Sequence, residues 1–310
     1  MSFDFDTAVQ APFRMQPGLR RLAGGAHHLT PLAAGSAHQR EKLAVLSAFH
    51  AQALCVQPGF DPGPALARLS AHAAAEQPDH WQFAGARAEA PGLGTAVQAD
   101  GRIEQLASGA FGLGDEVSRC LLGLPPAWRL AGLLSLTFAE DLAIVDLVPG
   151  TVPWMAVTLP SHWAPERRVG SSFEALHAPV ADNGLLLKAR DALLQLVSGP
   201  ERWERFVWNV SDSPRLHAHP ARVAAPRWQQ TRVDHAWWRT ERQTFLPLSD
   251  LRQAVFTIRV EVQPLTAVLD APGRRARLHA AIASMSAAVL AYRGLAPVQP
   301  ALLQWLEGPA

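Results

Sequence analysis

The first half of the chain carries apolar residues at helical spacing. In residues 40–54 they recur every three or four positions until the sequence Cys-Val-Gln-Pro-Gly at 55–59 interrupts the pattern. Further helices are predicted over 64–75 and 116–122. The first forty residues are punctuated by proline and glycine, and residues 85–116 have no clear period. We therefore predict helical and irregular structure up to residue 127.

Beyond residue 128 the pattern changes to short apolar runs, which are typical of strands. The predicted strands cover 142–148, 154–159, 205–210, 237–246 and 254–262. Ser171 and Glu174 have the spacing of a capping box, with Ser171 as N-cap, and predict a short helix that ends before Pro179. Longer helices are predicted over 184–197 and 275–292.

The order of these elements predicts an α+β fold, because two strands, the helices and three further strands can form one antiparallel sheet with helices on one face. We expect a PAS-like antiparallel five-stranded sheet with an N-terminal helical extension. Residues 1–127 would be the extension, wrapping the core. Residues 128–310 would be the PAS-like domain with its C-terminal helix, and such a sheet can enclose a ligand.

Composition narrows the class of protein. The chain has 310 residues, of which 48% are hydrophobic and 18% charged, so a buried core is expected. Basic residues number 28 and acidic ones 27, and the resulting charge of +1 argues against a nucleic-acid partner. Neither a secretory signal nor a run of about 20 apolar residues is visible, so we expect a cytoplasmic protein with no membrane partner.

Familiar signatures of catalysis are missing from the sequence. Cys55 and Cys120 are far apart and form no CxxC motif, so thiolate-held zinc and iron–sulfur clusters are excluded, and we expect two reduced, buried thiols. The motifs of P-loop, serine-hydrolase, zinc-protease and dinucleotide-binding proteins are also missing. The remaining candidates are histidines, arginines and carboxylates in the second half.

Two histidines are candidate ligands of a metal or haem iron. His177 lies at the end of the short capped helix among apolar residues, where it could protrude as a ligand or satisfy a carbonyl of the helix end. His162 lies in Pro-Ser-His-Trp-Ala-Pro-Glu at 160–166, where turn packing is the alternative. His217 and His219 are more simply explained as exposed loop residues than as a chelating pair.

Charged residues also occur inside a predicted strand. Strand alternation places Arg242 on one face and Glu241 on the other, and one of these faces must be buried. Arg242 or Glu241 could therefore bind a buried anion or a substrate amine; the alternative is an exposed sheet face with cross-strand salt bridges. Arg167 and Arg168 form a basic pair whose alternative is a solvated loop.

Several segments, in one order, resemble the haem-dependent oxidative N-demethylase alpha-subunit family. These segments are Pro-Phe-Arg-Met at 12–15 with Gly-Leu-Arg at 18–20, Glu-Asp-Leu at 140–142, Leu-Pro-Ser-His-Trp-Ala-Pro-Glu at 159–166, Val-Gly at 169–170 with Leu-His-Ala-Pro-Val at 176–180, and Arg-Thr-Glu-Arg-Gln-Thr at 239–244. The resemblance is strongest from about 140 to 264. Several motifs in a fixed order are more specific than any one of them.

The resemblance implies haem b held non-covalently in a PAS-like domain, and oxidation of a secondary methylamine such as dimethylamine with dioxygen, releasing formaldehyde. Electrons would come from NADPH through flavin and iron–sulfur components on other subunits or a separate reductase. His177 is the first candidate for the axial ligand and His162 the second. Arg168 and Arg242 would bind the propionates. Glu241 would bind the amine, with Glu140 and Asp141 behind it.

Two other functions remain open at this point. A PAS-like haem protein can act as a sensor or redox protein without turnover, and a member that has lost haem can persist as a structural subunit. The chain shows no output domain or dimerising coiled coil, which favours the enzyme.

Overall fold

A seven-stranded antiparallel sheet forms the centre of the computed structural model, which describes residues 3–223, 226–229 and 232–308, without the side chain of Leu185. Its strands, in chain order, are β1 (Arg20–Arg21), β2 (Leu54–Val56), β7 (Asp141–Asp146), β8 (Thr151–Ala156), β9 (Trp203–Ser211), β10 (Trp237–Leu248) and β11 (Gln253–Pro264). Across the sheet the order is β1-β9-β10-β11-β7-β8-β2.

The α+β class is confirmed, whereas the prediction of five strands is wrong in number. All five predicted strands are present and lie side by side as β9-β10-β11-β7-β8. Two short strands from the N-terminal region, β1 and β2, pair with the outer edges of this group. Strands of two or three residues contain too few positions to show a period, which is why the sequence pattern missed them.

A second, four-stranded antiparallel sheet lies where the sequence predicted no element. It consists of β3 (Gln82–Phe83), β4 (Arg87–Ala90), β5 (Thr95–Gln98) and β6 (Ile103–Gln105), paired in chain order. Small residues such as Ala88, Ala90 and Ala96 fill its buried positions. Because alanine is depleted in strands, its prevalence here hid the sheet from pattern analysis.

Helices cover the sheets. They are α1 (Phe5–Ala8), α2 (Ala37–Ala53), α3 (Gly63–Glu76), α4 (Glu116–Leu122), α5 (Arg129–Thr137), α6 (Phe173–His177), α7 (Gly184–Lys188), α8 (Arg190–Ser198), α9 (Leu265–Val268), α10 (Arg274–Ala283), α11 (Ala287–Arg293) and α12 (Gln299–Glu307). In the described part of the chain, no helix combines the length and the apolar character needed to cross a bilayer.

Several helix predictions are right in place and wrong in detail. The N-cap of α6 is Ser172, whose hydroxyl accepts from the Ala175 N–H, so the capping residue is shifted by one from Ser171. The predicted helix over 184–197 is divided into α7 and α8. The final predicted helix is divided into α10 and α11, because Ser286 leaves the helical conformation and caps α11.

The two faces of the large sheet have different partners. Leu142, Ile144 and Trp154 of β7 and β8 belong to a large hydrophobic core that also contains residues of α2, α3 and α5. On the same face of the sheet, a second core joins Trp208 and Trp238 to α9–α12. The opposite face of β7 and β8 is left to the cavity described below.

A buried ion pair ties the N-terminal helix α2 to this sheet. Lys42 Nζ lies 3.2 Å from Asp141 Oδ1, and both side chains are fully buried. Asp141 also accepts hydrogen bonds from the Thr158 hydroxyl at 2.6 Å and from the Leu159 N–H at 2.7 Å. One carboxylate therefore fixes both α2 and the segment that follows β8.

Arg239 holds the same segment from the other side. It is 3% exposed, and burial lowers its pKa to about 10. Its guanidinium donates to Ser161 Oγ at 2.7 Å and to the carbonyls of Arg215, Leu159, Pro160 and Leu216. The planar fork of arginine suits this set of acceptors. Arg239 thus fixes residues 159–161 against the loop at 215–216, and we call this set of hydrogen bonds the Arg239 clamp.

Lys42→Ala should lower the free energy of unfolding by about 3 to 5 kcal/mol, because it leaves the buried Asp141 carboxylate without its cation. Arg68→Ala is the matched control: its ion pair with Asp250 is exposed on both sides, so its loss should cost less than about 1 kcal/mol. Urea unfolding measures both. Equal effects of the two variants would contradict the anchoring role of Lys42.

Arg239→Lys should lower the free energy of unfolding by about 3 kcal/mol, because an ammonium cannot reach all the carbonyls that the guanidinium satisfies. Arg232→Lys, at an exposed ion pair with Asp234, should have almost no effect. Chemical denaturation distinguishes them. An Arg239→Lys protein as stable as the wild type would show that the clamp is not needed.

Candidate functional site

A cavity of about 620 Å³ lies against the face of the large sheet that the helices α2, α3 and α5 do not cover. Its volume is in the range of sites that hold small molecules and cofactors, about 300 to 1,000 Å³. The N-terminal arm, by which we mean residues 9–36 between α1 and α2, contributes Met15, Gln16, Pro17 and Leu19 to the cavity wall. The sequence motifs at 12–20, 159–166, 176–180 and 239–244 therefore meet at one place.

The cavity wall formed by the sheet is divided into an apolar and a polar half. Strands β7, β8 and β11 supply the apolar half with Ala143, Val145, Val152, Met155, Phe256 and Ile258. Strands β9 and β10 supply the polar half with Arg205, Asn209, Arg239, Glu241 and Gln243. Strand alternation produces most of both halves, because every second side chain points to the same face. Strand β8 is the exception: the register shift opposite Ile144 and Asp146 brings Val152 to the cavity together with Met155.

His177 lines the cavity at the end of α6. Its Nδ1 lies 2.7 Å from the carbonyl oxygen of Phe173, a geometry in which Nδ1–H donates and Nε2 carries the free lone pair. The Phe173 ring packs against the imidazole, with ring centroids 4.1 Å apart. Burial lowers the pKa of His177, so the imidazole is neutral at physiological pH. A neutral, oriented imidazole of this kind is the usual metal ligand.

His162 lines the same cavity from the segment fixed by Arg239. Its backbone is in the left-handed region, with φ of 64°, and its N–H donates to the Ala218 carbonyl. Burial, with Arg227 and Arg239 nearby, lowers its pKa to about 3. Its Nε2 is buried and has no hydrogen-bond partner among the described residues. A left-handed non-glycine residue held in place at a cavity is typical of a functional position.

Five arginines line the cavity, and two of them have fully structural roles. Arg239 is the clamp described above, and Arg227 donates to Asp212 and to the carbonyls of Arg293 and Val210. The other three are free to meet a ligand. Arg168 makes one long contact with the Ala175 carbonyl. Within the described chain, the guanidinium of Arg205 has no hydrogen bond or ion pair, and burial lowers its pKa while the charge of Glu241 raises it.

Arg293 is the third arginine available to a ligand. Its guanidinium lies over the rings of Phe13 and Trp208, 4.6 and 4.4 Å from their centroids, and burial lowers its pKa to about 10. Its Nη1 has no partner in the described structure, and neither has Oδ1 of Asn209. Buried polar atoms are rarely left unpaired, so these atoms and His162 Nε2 indicate that a polar ligand completes the site.

Glu241 is the single carboxylate among the described residues that line the cavity. Its Oε2 accepts a 2.6 Å hydrogen bond from the Gln243 side chain. Tyr292, the one tyrosine of the chain, also lines the cavity and is 48% exposed. The Glu241 carboxylate therefore shares the cavity with the five arginines described above.

The structure brings together four of the five predicted site residues. His177, His162, Arg168 and Glu241 line the cavity, whereas Arg242 points to the opposite face of β10. There the Arg242 side chain is 7% exposed. Its Nε lies 2.8 Å from Glu204 Oε2, and its Nη1 donates to the His27 carbonyl. This arginine is committed to the interior and does not reach a group in the cavity.

Two other carboxylates considered with Glu241 are also elsewhere. Asp141 pairs with Lys42, and Glu140 accepts from the Thr30 N–H; neither lines the cavity. Burial raises the pKa of Glu140. Both residues connect the N-terminal region to β7, which explains their place in the motif without a role in binding.

The remaining candidates are structural. His217 and His219 are buried, contrary to the expected exposure, because His217 Nδ1 lies 2.7 Å from the Thr158 carbonyl and His219 Nε2 lies 3.2 Å from Glu166. Cys55 and Cys120 are free and buried as predicted, and burial raises the pKa of Cys55 to about 12. Neither thiol is therefore a nucleophile at neutral pH.

The sequence did not reveal Arg205, Asn209 or Arg293. Arg205 and Asn209 share the alternation of β9 with Val207, so their common face was visible once the strand was recognised. Arg293 ends α11, in a helix whose apolar face gave no reason to select it.

Comparison with known proteins identifies the family. A search of curated proteins finds no match. The model of the family described as haem-dependent oxidative N-demethylase, alpha subunit-like, matches residues 126–303, which is more than half of the chain. This match begins just before the predicted domain boundary and covers the sheet strands β7–β11, His162, His177 and Glu241. The chain therefore belongs to the haem-dependent oxidative N-demethylase alpha-subunit-like family.

Proposed function

We propose that this protein binds haem b in the cavity and oxidatively demethylates a small secondary amine, such as dimethylamine, with dioxygen. The observation that carries the proposal is the imidazole of His177, which is neutral, oriented by the Phe173 carbonyl and presents Nε2 at a cavity lined by uncommitted arginines. Membership of the family supports the dependence on haem.

The residues present fit a haem. The apolar half of the sheet wall suits the flat faces of a porphyrin, while the polar half suits its charged edge. Nε2 of His177 would bind the iron. Arg168 would bind a propionate, as the family resemblance implied, and Arg205 would take the role that the resemblance implied for Arg242, because guanidinium groups pair well with carboxylates.

The chain itself contributes binding, orientation and exclusion of water. Bound haem supplies the activation of dioxygen that oxidation of an N-methyl group requires. His162 offers an unpaired ring nitrogen that can exchange a hydrogen bond with a ligand in the cavity. Met155, Phe256 and Ile258 form an apolar wall that keeps water away from the reacting atoms.

Glu241 would bind the substrate. A secondary amine is protonated at neutral pH, and Glu241 is the carboxylate that the described cavity wall offers as its counter-ion. Gln243 holds Glu241 by a 2.6 Å hydrogen bond, which fixes the direction of the carboxylate. In this role Glu241 positions the N-methyl group near the centre of oxidation.

Electrons must reach the site from outside. Conversion of dimethylamine to methylamine and formaldehyde consumes one dioxygen, two electrons and two protons, and releases one water. Two cysteines cannot hold an iron–sulfur cluster of four thiolates, and the sequence has no dinucleotide fingerprint. We therefore propose that reductase subunits or a separate reductase carry NADPH, flavin and the cluster.

The domain organisation is part of the proposal. The five adjacent strands β9-β10-β11-β7-β8 would be the PAS-like core, within residues 128–310. Residues 1–127 would be the extension that wraps it, since they supply β1, β2 and the arm over the cavity.

His177→Ala should abolish the Soret band of the protein purified after haem reconstitution, because the imidazole nitrogen that would bind the iron is removed. His235→Ala, at an exposed histidine outside the cavity, should leave the band unchanged. Absorbance spectroscopy measures both. An unchanged band in His177→Ala would transfer the axial role to His162, and a wild-type protein without any band would exclude haem binding.

Glu241→Gln should retain the Soret band but lower kcat/KM for dimethylamine by about 100-fold, since the partly buried counter-charge to the ammonium is lost. Formaldehyde release with a reductant and dioxygen is the measurement. Glu201→Gln, at an exposed carboxylate, is the control. A haem-loaded wild type that releases no formaldehyde from any small secondary amine would favour a sensor or redox protein instead.

A further inference from the structure

A second cluster of ligand-type side chains lies on the other side of the molecule from the cavity wall. His72 and Glu76 are one turn apart on α3, and His28 comes from the arm that precedes α2. None of the three lines the cavity. Their neighbour in the arm, His27, gives its carbonyl to Arg242 on the face of β10 opposite the cavity.

The three ligand atoms form an almost regular triangle. His28 Nδ1 lies 3.1 Å from His72 Nε2, and each of these nitrogens lies 3.4 Å from Glu76 Oε1. Zinc bonded to imidazole and carboxylate at about 2.0 to 2.1 Å separates tetrahedral ligands by about 3.4 Å. An octahedral ion would bring adjacent ligands to about 3.0 Å. The observed distances are nearer to the tetrahedral arrangement.

We propose that His28, His72 and Glu76 bind a zinc ion, which fastens the N-terminal arm to α3. Two histidines and one glutamate are a known zinc ligand set, and a water molecule would occupy the fourth position. Water would reach the site from His72, whose side chain is 25% exposed, because His28 is fully buried and Glu76 is 6% exposed.

The surroundings hold the ligands in place. Glu76 accepts the backbone N–H groups of His28 at 2.9 Å and of Leu29 at 2.8 Å, so its carboxylate is fixed before a metal arrives. The same carboxylate lies 3.4 Å from each of the two imidazole nitrogens, so all three ligand atoms already face one point.

One cation faces the cluster. Arg202 is close enough to lower the pKa of His28, and its guanidinium donates to the Ala26 carbonyl. Its charge weakens the site without filling it, because the hydrogen bond directs the guanidinium to the backbone. The site therefore predicts moderate affinity for zinc.

The position of the site gives it a structural purpose. Residues 27–30 connect three parts of the fold: His27 contacts Arg242, Thr30 binds Glu140, and His28 belongs to the cluster on α3. Fixing His28 thus holds the arm between the sheet and the helix. Zinc here would stabilise the folded state by mass action and would have no part in the proposed oxidation.

Zinc content is the first test. The purified full-length protein is incubated with zinc sulfate, desalted, and analysed by inductively coupled plasma mass spectrometry, with iron measured in parallel. One zinc per chain is expected in the wild type. His72→Ala should bind zinc about 100-fold more weakly or worse, because a direct ligand is lost. His80→Ala, at an exposed histidine just beyond α3, should bind as the wild type does.

Two further measurements keep the test decisive. Zinc-edge X-ray absorption should show nitrogen and oxygen neighbours at tetrahedral distances with two imidazoles, and chelation should lower the melting temperature of the wild type and not of His72→Ala. The more conservative Glu76→Gln should weaken zinc binding while the protein stays folded by circular dichroism. A wild type that retains no zinc, or equal zinc in His72→Ala, would overturn the proposal and leave a hydrogen-bonded cluster only.

Discussion

The alternation of side chains along β10 is the constraint on which the site depends. Successive residues point to opposite faces, so Glu241 reaches the cavity while Arg242, one position later, is sealed into the opposite side with Glu204. Both faces of this strand are covered, which is why the sheet can carry charged residues in its interior. Each charge on the inner side must then be met by a clamp, an ion pair or a ligand.

The clamps and the ligand positions are separate sets of residues. The Arg239 guanidinium donates hydrogen bonds to five acceptors and so fixes the segment that contains His162. The Asp141 carboxylate, which is paired with Lys42, accepts a hydrogen bond from the Leu159 N–H and so fixes the same segment. By contrast, Arg205 makes no such contacts in the described chain, and Arg293 keeps one nitrogen unpaired. The clamped residues thus surround groups that have no hydrogen-bond partner in the described structure.

Much of the fold could be predicted from the sequence, because long strands and helices display their period. Strands β9–β11 and helices α2 and α3 were found within a few residues. The short strands β1 and β2 were missed, since their pairing depends on tertiary contacts rather than on a repeating pattern. Local motifs located His177 and Glu241, but the choice between Glu241 and Arg242 required knowing which face of β10 meets the cavity.

A crystal structure of the haem-loaded protein would show whether the cavity binds haem through Nε2 of His177, as we propose. We expect porphyrin density against the apolar half of the sheet wall, iron bound to His177, and propionates directed to Arg168 or Arg205. Iron bound to another residue, or a porphyrin outside the cavity, would contradict this proposal.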